Sequence, residues 1–588
     1  MTDHAFPDPA KLLADALFDL PEHPGAMAGG PARDTLTYHR VHRLHEQIAA
    51  PGPLLHQPAY LRELLELSAM VDPGVFHVLF LHHCMTLGAA LDFGASDADL
   101  AELAAGRTIG AALMTEVGQG NSSADIRTEA VWDPAAGEFV LHTPDPAASK
   151  YPPNVGLPGI ARLAVVSARI VVAGTGHGTG LFLVPLRDAA GPGRGVVITP
   201  RPPTGLLPLD YASVRFDRVR VPGSRWLRDG ATISAAGEYH DPLDPPARTR
   251  RSQGMSRFAW GAVSTGLAAV ARAGAAVALA HACRRRTAGR LDTELPVLAY
   301  RNQQRALFGA LAAALAATVS ARRATDLCWQ LPTPQASDRG LPAASMRTAA
   351  LIKVTADRLA EQAISRCRRA CGAFGFFAEN RLIDYQGLAL AFNAAGGDNE
   401  LILLDAAWAM ATGADYEPPE IVAQFGSPLA RTGWVGLFRT RERLLYDGLV
   451  EQLRTGAEQG LDPFAARNEC TDSALRLAAA HAARITIEAL DRDLRSVTGP
   501  YLDDAATDDL CLLWVLDEVA AHDGWFLTEG LLTADEVRTL PGRIDGACAR
   551  LAAHVPALLD MLDIPPGIIR GALAGDDPTR DLTTGPTT

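Results

Sequence analysis

The chain has 588 residues, more than one hydrophobic core organises, so three or four subdomains are expected. Its composition is 48% apolar and only 6% aromatic, a helix-forming mixture rich in Ala and Leu. A formal charge of −13 with no long basic stripe argues against a nucleic-acid partner. The longest uncharged apolar run, 307–321, is shorter than the ~20 residues that cross a bilayer, so no membrane span is expected. The first residues are acidic and lack the basic start and cleavage site of a signal peptide, and the last five are no common sorting signal. A cytoplasmic location is expected on that basis. Eight cysteines are scattered; Cys367 and Cys371 sit four apart with no second pair at metal spacing, which predicts reduced, buried thiols and no metal site.

In chain order, residues 1–108 read as a helical domain with helices at 11–19, 36–50, 60–69, 74–87 and 97–105, separated in places by Pro and Gly clusters. His82 and His83 fall inside a helix and read as packed or solvent-exposed residues rather than ligands. The pattern changes at Thr108. Over 109–235 the apolar period becomes 2 or runs solid, at 130–132, 138–143, 163–173, 180–185, 196–200 and 214–222. This predicts an inserted β-domain, with 214–222 as one strand that buries one face. A Pro-rich, charged linker leads into a central helical bundle over 236–430, with long helices at 256–286, 295–331 and 343–371. A further helix, 387–411, is interrupted at Gly396-Gly397. The last domain, 431–588, is a second bundle with helices at 441–456, 471–497, 508–523, 533–555 and 557–562. The predicted class is mainly α with an inserted β-domain and an extra C-terminal helical bundle. No phosphate-binding P-loop or Rossmann fingerprint is present.

Three stretches carry candidate chemistry. Met114-Thr115-Glu116-Val117-Gly118-Gln119-Gly120-Asn121-Ser122-Ser123 is dense in glycine, hydroxyl and amide groups and offers hydrogen bonds to a heterocycle edge or a phosphate; the plain alternative is a solvated turn. Arg284-Arg285-Arg286 ends one long helix and Tyr300-Arg301-Asn302-Gln303-Gln304 begins the next; the arginines suit a helix C-terminus and also a pyrophosphate. Cys371-Gly372-Ala373-Phe374-Gly375-Phe376 and Gly396-Gly397-Asp398-Asn399 are two glycine turns one helix-length apart, either two helix caps or the two sides of a cofactor crevice.

This order of domains and these motifs resemble the acyl-CoA oxidases, within the acyl-CoA dehydrogenase superfamily. The 114–120 stretch is similar to the family's flavin-contacting loop, and 371–376 to the Cys-Gly-Gly-His-Gly-Tyr turn at the dinucleotide. Arg285, Tyr300, Gln303, Gln304 and Phe308 match the segment that reaches a neighbouring subunit's flavin, and Asp523-Gly524-Trp525-Phe526-Leu527 resembles a helix end of the C-terminal domain. The resemblance implies bound FAD, a homodimer with the cofactor at the subunit interface, and an acyl thioester substrate carried by CoA or a carrier protein. It implies α,β-desaturation, in which a carboxylate takes the α-proton, and reoxidation by O2. It places Thr115, Gly118, Gly120 and Asn154 near the flavin, and Arg285, Gln303, Gly372 and Gly375 along the dinucleotide.

The chain also departs from the family. The usual catalytic Glu falls on Gly396, and the alternative position of the base in some relatives, 255–258, has no carboxylate. The second flavin-contacting turn reads Tyr151-Pro152-Pro153-Asn154-Val155-Gly156, and Thr287 stands where a Gln is usual. Asp398, two residues on, is the candidate base, although on a helix it would face ~200° away from Gly396; a helix N-cap is its plain alternative. Two further readings stay open: a flavin monooxygenase or other non-desaturating redox enzyme on the same scaffold, and a degenerate thioester-binding protein.

Overall fold

The computed structural model describes residues 6–19, 29–120, 125–288, 293–331, 340–413, 415–421 and 427–575; Asn121, Ser122 and Ser123 of the candidate flavin loop lie outside them. The chain forms two compact units, Met1–Val263 with Thr325–Leu341, and Ser264–Ala324 with Pro342–Thr588.

After a short helix, Pro9–Leu13, and a 3-10 turn, Ala16–Phe18, the first unit runs through helices α1 (Pro31–Ile48), α2 (Pro58–Val71) and α3 (Pro73–Phe80). Each begins with proline, whose missing N–H is no loss in the first turn. A π-helical turn, Leu81–Thr86, joins α3 to α4 (Leu87–Phe93), and α5 (Asp97–Ala104) follows. Asp72 is wholly buried and bonded by both Arg33 and Arg40 at 2.7 Å, which pins α1 to the start of α3. His82 and His83 of the π turn pack with His45 of α1: the His45 and His83 Nε2 atoms are 3.1 Å apart, and the Gly110 N–H donates to His82 Nδ1. Burial lowers the pKa of all three rings, that of His45 to about 4, so they sit neutral.

The β-part is an eight-stranded sheet with a separate ribbon. Its strands are β1 (Ile109–Leu113), β2 (Glu129–Asp133), β3 (Glu138–His142), β4 (Arg162–Val172), β5 (Thr175–Asp188), β6 (Val196–Pro200), β7 (Ala212–Phe216), β8 (Val219–Pro222) and β9 (Trp226–Leu227). The sheet runs β9-β5-β4-β2-β3-β8, with β1 on β4 and a two-residue strand, Gly191–Pro192, on β5 making eight; β6 pairs with β7 outside it. Strand β4 is shared unusually. One edge pairs antiparallel with β5 along its length, while the other takes β1 over 162–166 and then β2 over 169–171, both parallel. Chain between Leu113 and Glu129 therefore leaves the sheet opposite Ser167 and Ala168 and returns one step further on. The expected single strand over 214–222 is two strands in two sheets: Arg218 takes a left-handed φ of 53° and breaks the alternation.

The remaining helices include α6 (Pro245–Gln253), α7 (Ser256–Arg284), α8 (Arg301–Cys328), α9 (Ala343–Ala370), α10 (Leu382–Phe392), α11 (Asn399–Ala411), α12 (Trp434–Glu458), α13 (Thr471–Thr498), α14 (Asp504–Ala520), α15 (Asp523–Thr528) and α16 (Ala534–Leu551). In the second unit α9 packs on α10 and α11, α12 and α11 on α13, and α14 on α16. Two expectations shift. The helix predicted from 295 begins at Arg301, because Arg286–Ala288 (β10) and Thr293–Pro296 (β11) pair as a hairpin, and Arg286 belongs to that hairpin rather than to the helix end. Three helices, Pro73–Phe93, Pro245–Arg284 and Arg301–Cys328, are long and apolar enough to cross a membrane, which the count of the longest uncharged run did not show; 94%, 94% and 89% of their most apolar windows are buried inside the protein.

Candidate functional site

In the first unit the candidate flavin loop leaves β1 and is stitched to the segment 147–151. The Tyr151 N–H donates to the Thr115 carbonyl (3.0 Å), the Val117 N–H to Ser149 (2.9 Å) and the Gly118 N–H to Ala147 (2.8 Å). Gly118 is glycine because of this approach: a Cβ there would stand 2.9 Å from the Ala147 Cβ. Glu116, 1% exposed, closes the gap in the sheet. Its carboxylate accepts from the Arg127 and Thr128 N–H groups and the Thr128 hydroxyl, and lies 3.2 Å from Lys150 Nζ. Burial works to raise its pKa, but Lys150 and these donors outweigh it and hold the carboxyl below its ordinary value. Burial lowers Lys150 to about 8 against the pull of Glu116. The pair is a fully satisfied brace.

That brace leaves Thr115, Val117 and Gly120 free to line a cavity of about 470 Å³ with Pro146, Ser149, Tyr151, Arg201, Ser213 and Arg215. Val117 is 55% exposed and Tyr151 is stacked 5.6 Å from Tyr211, so an apolar face lies beside hydroxyls and two guanidinium groups. A flat heterocycle with polar edges suits such a wall. Asn154 is buried at a left-handed φ of 56°; its amide donates to the Gly110 carbonyl (3.1 Å), its own carbonyl accepts from Arg162 (2.7 Å), and its side-chain oxygen has no partner among the described residues.

In the second unit α9 ends at Cys371 and passes into a 3-10 turn, Gly372–Phe376. Gly372 has φ 59° with open space around it, whereas Gly375 is buried and a Cβ there would stand 2.3 Å from the Arg368 carbonyl oxygen. Phe376 and Phe377 are 65% and 41% exposed beside it. Arg285 is exposed between α7 and the hairpin, its N–H bonded to His281 and its carbonyl accepting from Val297. Gln303 stands in the first turn of α8 with a buried side-chain oxygen that has no partner among the described residues.

The turn between α10 and α11 shows what stands in place of the missing Glu. Gly396 and Gly397 take φ values of 68° and 96°, a backbone that disfavours any L side chain, while a Cβ at Gly396 would meet only Lys353 at 3.9 Å. Conformation, then, and not room, goes with glycine here. Asp398 caps α11, accepting from the Glu400 and Leu401 N–H groups. Beneath the turn lies a cluster that the sequence reading missed. Lys353 of α9, wholly buried, donates to the Phe392 and Gly397 carbonyls and to Asn399 Oδ1. Asn399 Nδ2 in turn donates to Asp357 Oδ2 at 2.6 Å. Asp357 is wholly buried, and its second oxygen has no partner among the described residues. Burial raises the Asp357 pKa and lowers that of Lys353, each opposed by the partner's charge. The available signal was a Lys and an Asp four apart on the buried face of an Ala-rich helix, where an ionisable pair is costly and therefore informative.

The comparisons with known proteins agree on one relationship. The family model "Acyl-CoA oxidase, C-alpha1 domain" matches residues 260–411, and the model "Acyl-CoA oxidase" matches 433–577. The chain is 26% identical over 609 residues to human peroxisomal acyl-coenzyme A oxidase 3, covering 94% of this chain and 85% of that protein. It is 30% identical over 387 residues to Arabidopsis thaliana peroxisomal acyl-coenzyme A oxidase 1, covering 63% and 55%. Its fold is similar to that of acyl-CoA oxidase 1 from Yarrowia lipolytica (TM-score 0.78, 19% identity, 96% and 88% covered). The same holds for acyl-CoA oxidase-1 of Caenorhabditis elegans, solved with FAD and ATP (TM-score 0.78, 21% identity, 97% and 88% covered). With one family model falling on the helices that carry both glycine turns, the other on the C-terminal helices, and the fold of nearly the whole chain matched by these structures, this protein belongs to the acyl-CoA oxidase family.

Proposed function

We propose that this chain is an FAD-dependent oxidoreductase that desaturates an acyl thioester at its α,β-bond, as a homodimer. The observation that carries the reading is the match of the acyl-CoA oxidase C-alpha1 model to the segment holding both glycine turns, with the second acyl-CoA oxidase model on the helices that follow. The cavity of the first unit fits the flavin ring, with an apolar face beside hydroxyl edges. On this reading Thr115, Gly118, Gly120 and Asn154 border the flavin ring, and Arg285, Gln303, Gly372 and Gly375 border the dinucleotide. Bound FAD supplies the acceptor for the electron pair and its delivery to O2. The chain must hold the thioester carbonyl with hydrogen-bond donors and take the weakly acidic α-proton with a carboxylate. Two carboxylates beside the Gly396 turn can take it. Asp398 is better placed for access, being half-buried; Asp357 has the unpartnered oxygen and the raised affinity for a proton that suits a base working near neutrality. The exposed Phe376 and Phe377 at the 3-10 turn, with Ile383 at the start of α10, support burial against a second copy.

Anaerobic titration with saturated acyl-CoAs, following flavin absorbance, tests the reading. Bleaching is expected in the parent protein. Asp398→Asn should abolish it if Asp398 is the base and leave it if Asp357 is; Asp357→Asn gives the converse. A bound flavin that no acyl-CoA reduces would reject desaturation. The dimer predicts a solution mass of twice 62.3 kDa by light scattering.

A further inference from the structure

The C-terminal helices hold a second pocket that the oxidase reading does not use. It has a volume of about 490 Å³ and is lined by Arg441 and Leu445 of α12, Arg476 of α13, and Ala521 to Trp525 with Thr528 around the start of α15. Arg441 is 3% exposed, yet its Nε and Nη1 have no hydrogen-bond partner among the described residues. Its guanidinium carbon lies 5.9 Å from the Trp525 ring and 5.7 Å from that of Phe526. The acid whose field reaches it, Glu518, is bonded to Arg358 at 2.6 Å. The one carboxylate in the lining, Asp523, turns onto the Gly524 N–H at 2.6 Å. Arg476 adds a second positive charge to the wall, and His522 an imidazole that burial and the charge of Arg441 keep neutral. Burying a guanidinium with free donors is unfavourable, and contact with aromatic faces offsets only part of the cost. Buried donors with no acidic partner, on an arginine that lines a cavity together with an aromatic ring, match what an oxyanion requires.

We propose that this pocket binds a phosphate group, free or carried by a small molecule that lays an apolar body against Trp525. Arg441 supplies the buried donors, Arg476 the outer charge, and His522 gains a proton as the anion neutralises the field of Arg441, which together with burial keeps its pKa low.

The test is isothermal titration of the purified full-length protein with inorganic phosphate and, separately, with phenyl phosphate. Comparison with variants removes any contribution from other anion sites. One site per chain is expected, weakened as salt is raised. Arg441→Met should abolish that site, and Arg476→Gln, an exposed change that leaves the fold intact, should weaken it at least fivefold. Tighter binding of phenyl phosphate than of phosphate would assign the ring contact; equal binding would assign free phosphate as the ligand. Without ligand, Arg441→Met should also raise Tm, since it removes a buried charge with free donors; a merely structural arginine would give a fall. The proposal is overturned if neither probe binds the parent protein up to millimolar concentration, or if Arg476→Gln and Arg441→Met bind both as the parent does.

Discussion

At the scale of single residues, the two glycines of the 3-10 turn are constrained for different reasons and should respond differently. At Gly375 a Cβ would collide with a backbone oxygen 2.3 Å away, which no side-chain adjustment relieves, so Gly375→Ala should cost roughly 1–3 kcal/mol of stability. Gly372 has free space but a φ of 59°, so Gly372→Ala should cost about 1 kcal/mol, the price of the left-handed backbone alone. Urea unfolding of both variants checks the order. Arg218 is the opposite case, a side chain in a conformation that glycine adopts freely; Arg218→Gly should be neutral or stabilising by up to ~1 kcal/mol in the same experiment.

At the scale of elements, α12 and α13 are joined through Glu442, a wholly buried carboxylate that accepts from Tyr416 (2.7 Å), from Arg484, and from His481 at 2.9 Å when that nitrogen carries the proton. Burial works against its ionised form, but these partners outweigh burial and lower its pKa to about 2. A depressed carboxyl stabilises the fold above its ordinary value of 4.5, and the gain disappears as pH falls towards 2. The stability of the parent protein over Glu442→Gln, about 3 kcal/mol near neutrality, should therefore shrink steadily when urea midpoints are compared between pH 5 and 3. A constant difference would reject the linkage. Most elements of this kind could be read from the sequence, because helix and strand periods and proline positions are local signals. Asp398 was legible as a cap for the same reason, an Asp just ahead of an apolar helical run. The break at Arg218 and the hairpin before α8 were not, since clean alternation and an Ala-rich run each carry across a turn whose cause is tertiary. Lys353 and Asp357 were legible only as charges: their meaning depends on Asn399, more than forty residues away.

For the molecule as a whole, the thiol chemistry follows from burial. Of eight cysteines, none forms a disulfide, seven are buried and Cys283 alone is half-buried. Burial raises the pKa of Cys328, Cys371 and Cys511 to about 12 and that of Cys84 and Cys367 further still, so these thiolates are scarce at neutral pH. Titration with Ellman's reagent should find no more than one reactive thiol in the native protein and eight after denaturation. Several fast-reacting thiols in the native state would contradict this packing.

The divided edge of β4 has a consequence for how such a protein can change. Leu113 and Glu129 are each fixed by their own pairing to β4, and Glu116 ties the departing chain to Thr128 on its return. Both ends of the intervening segment are thus held to the sheet. Residues added or removed there leave both strand registers as they are, and the alteration is felt only by whatever occupies the cavity that Thr115, Val117 and Gly120 line. The sheet thus separates change in the wall of that cavity from change in fold.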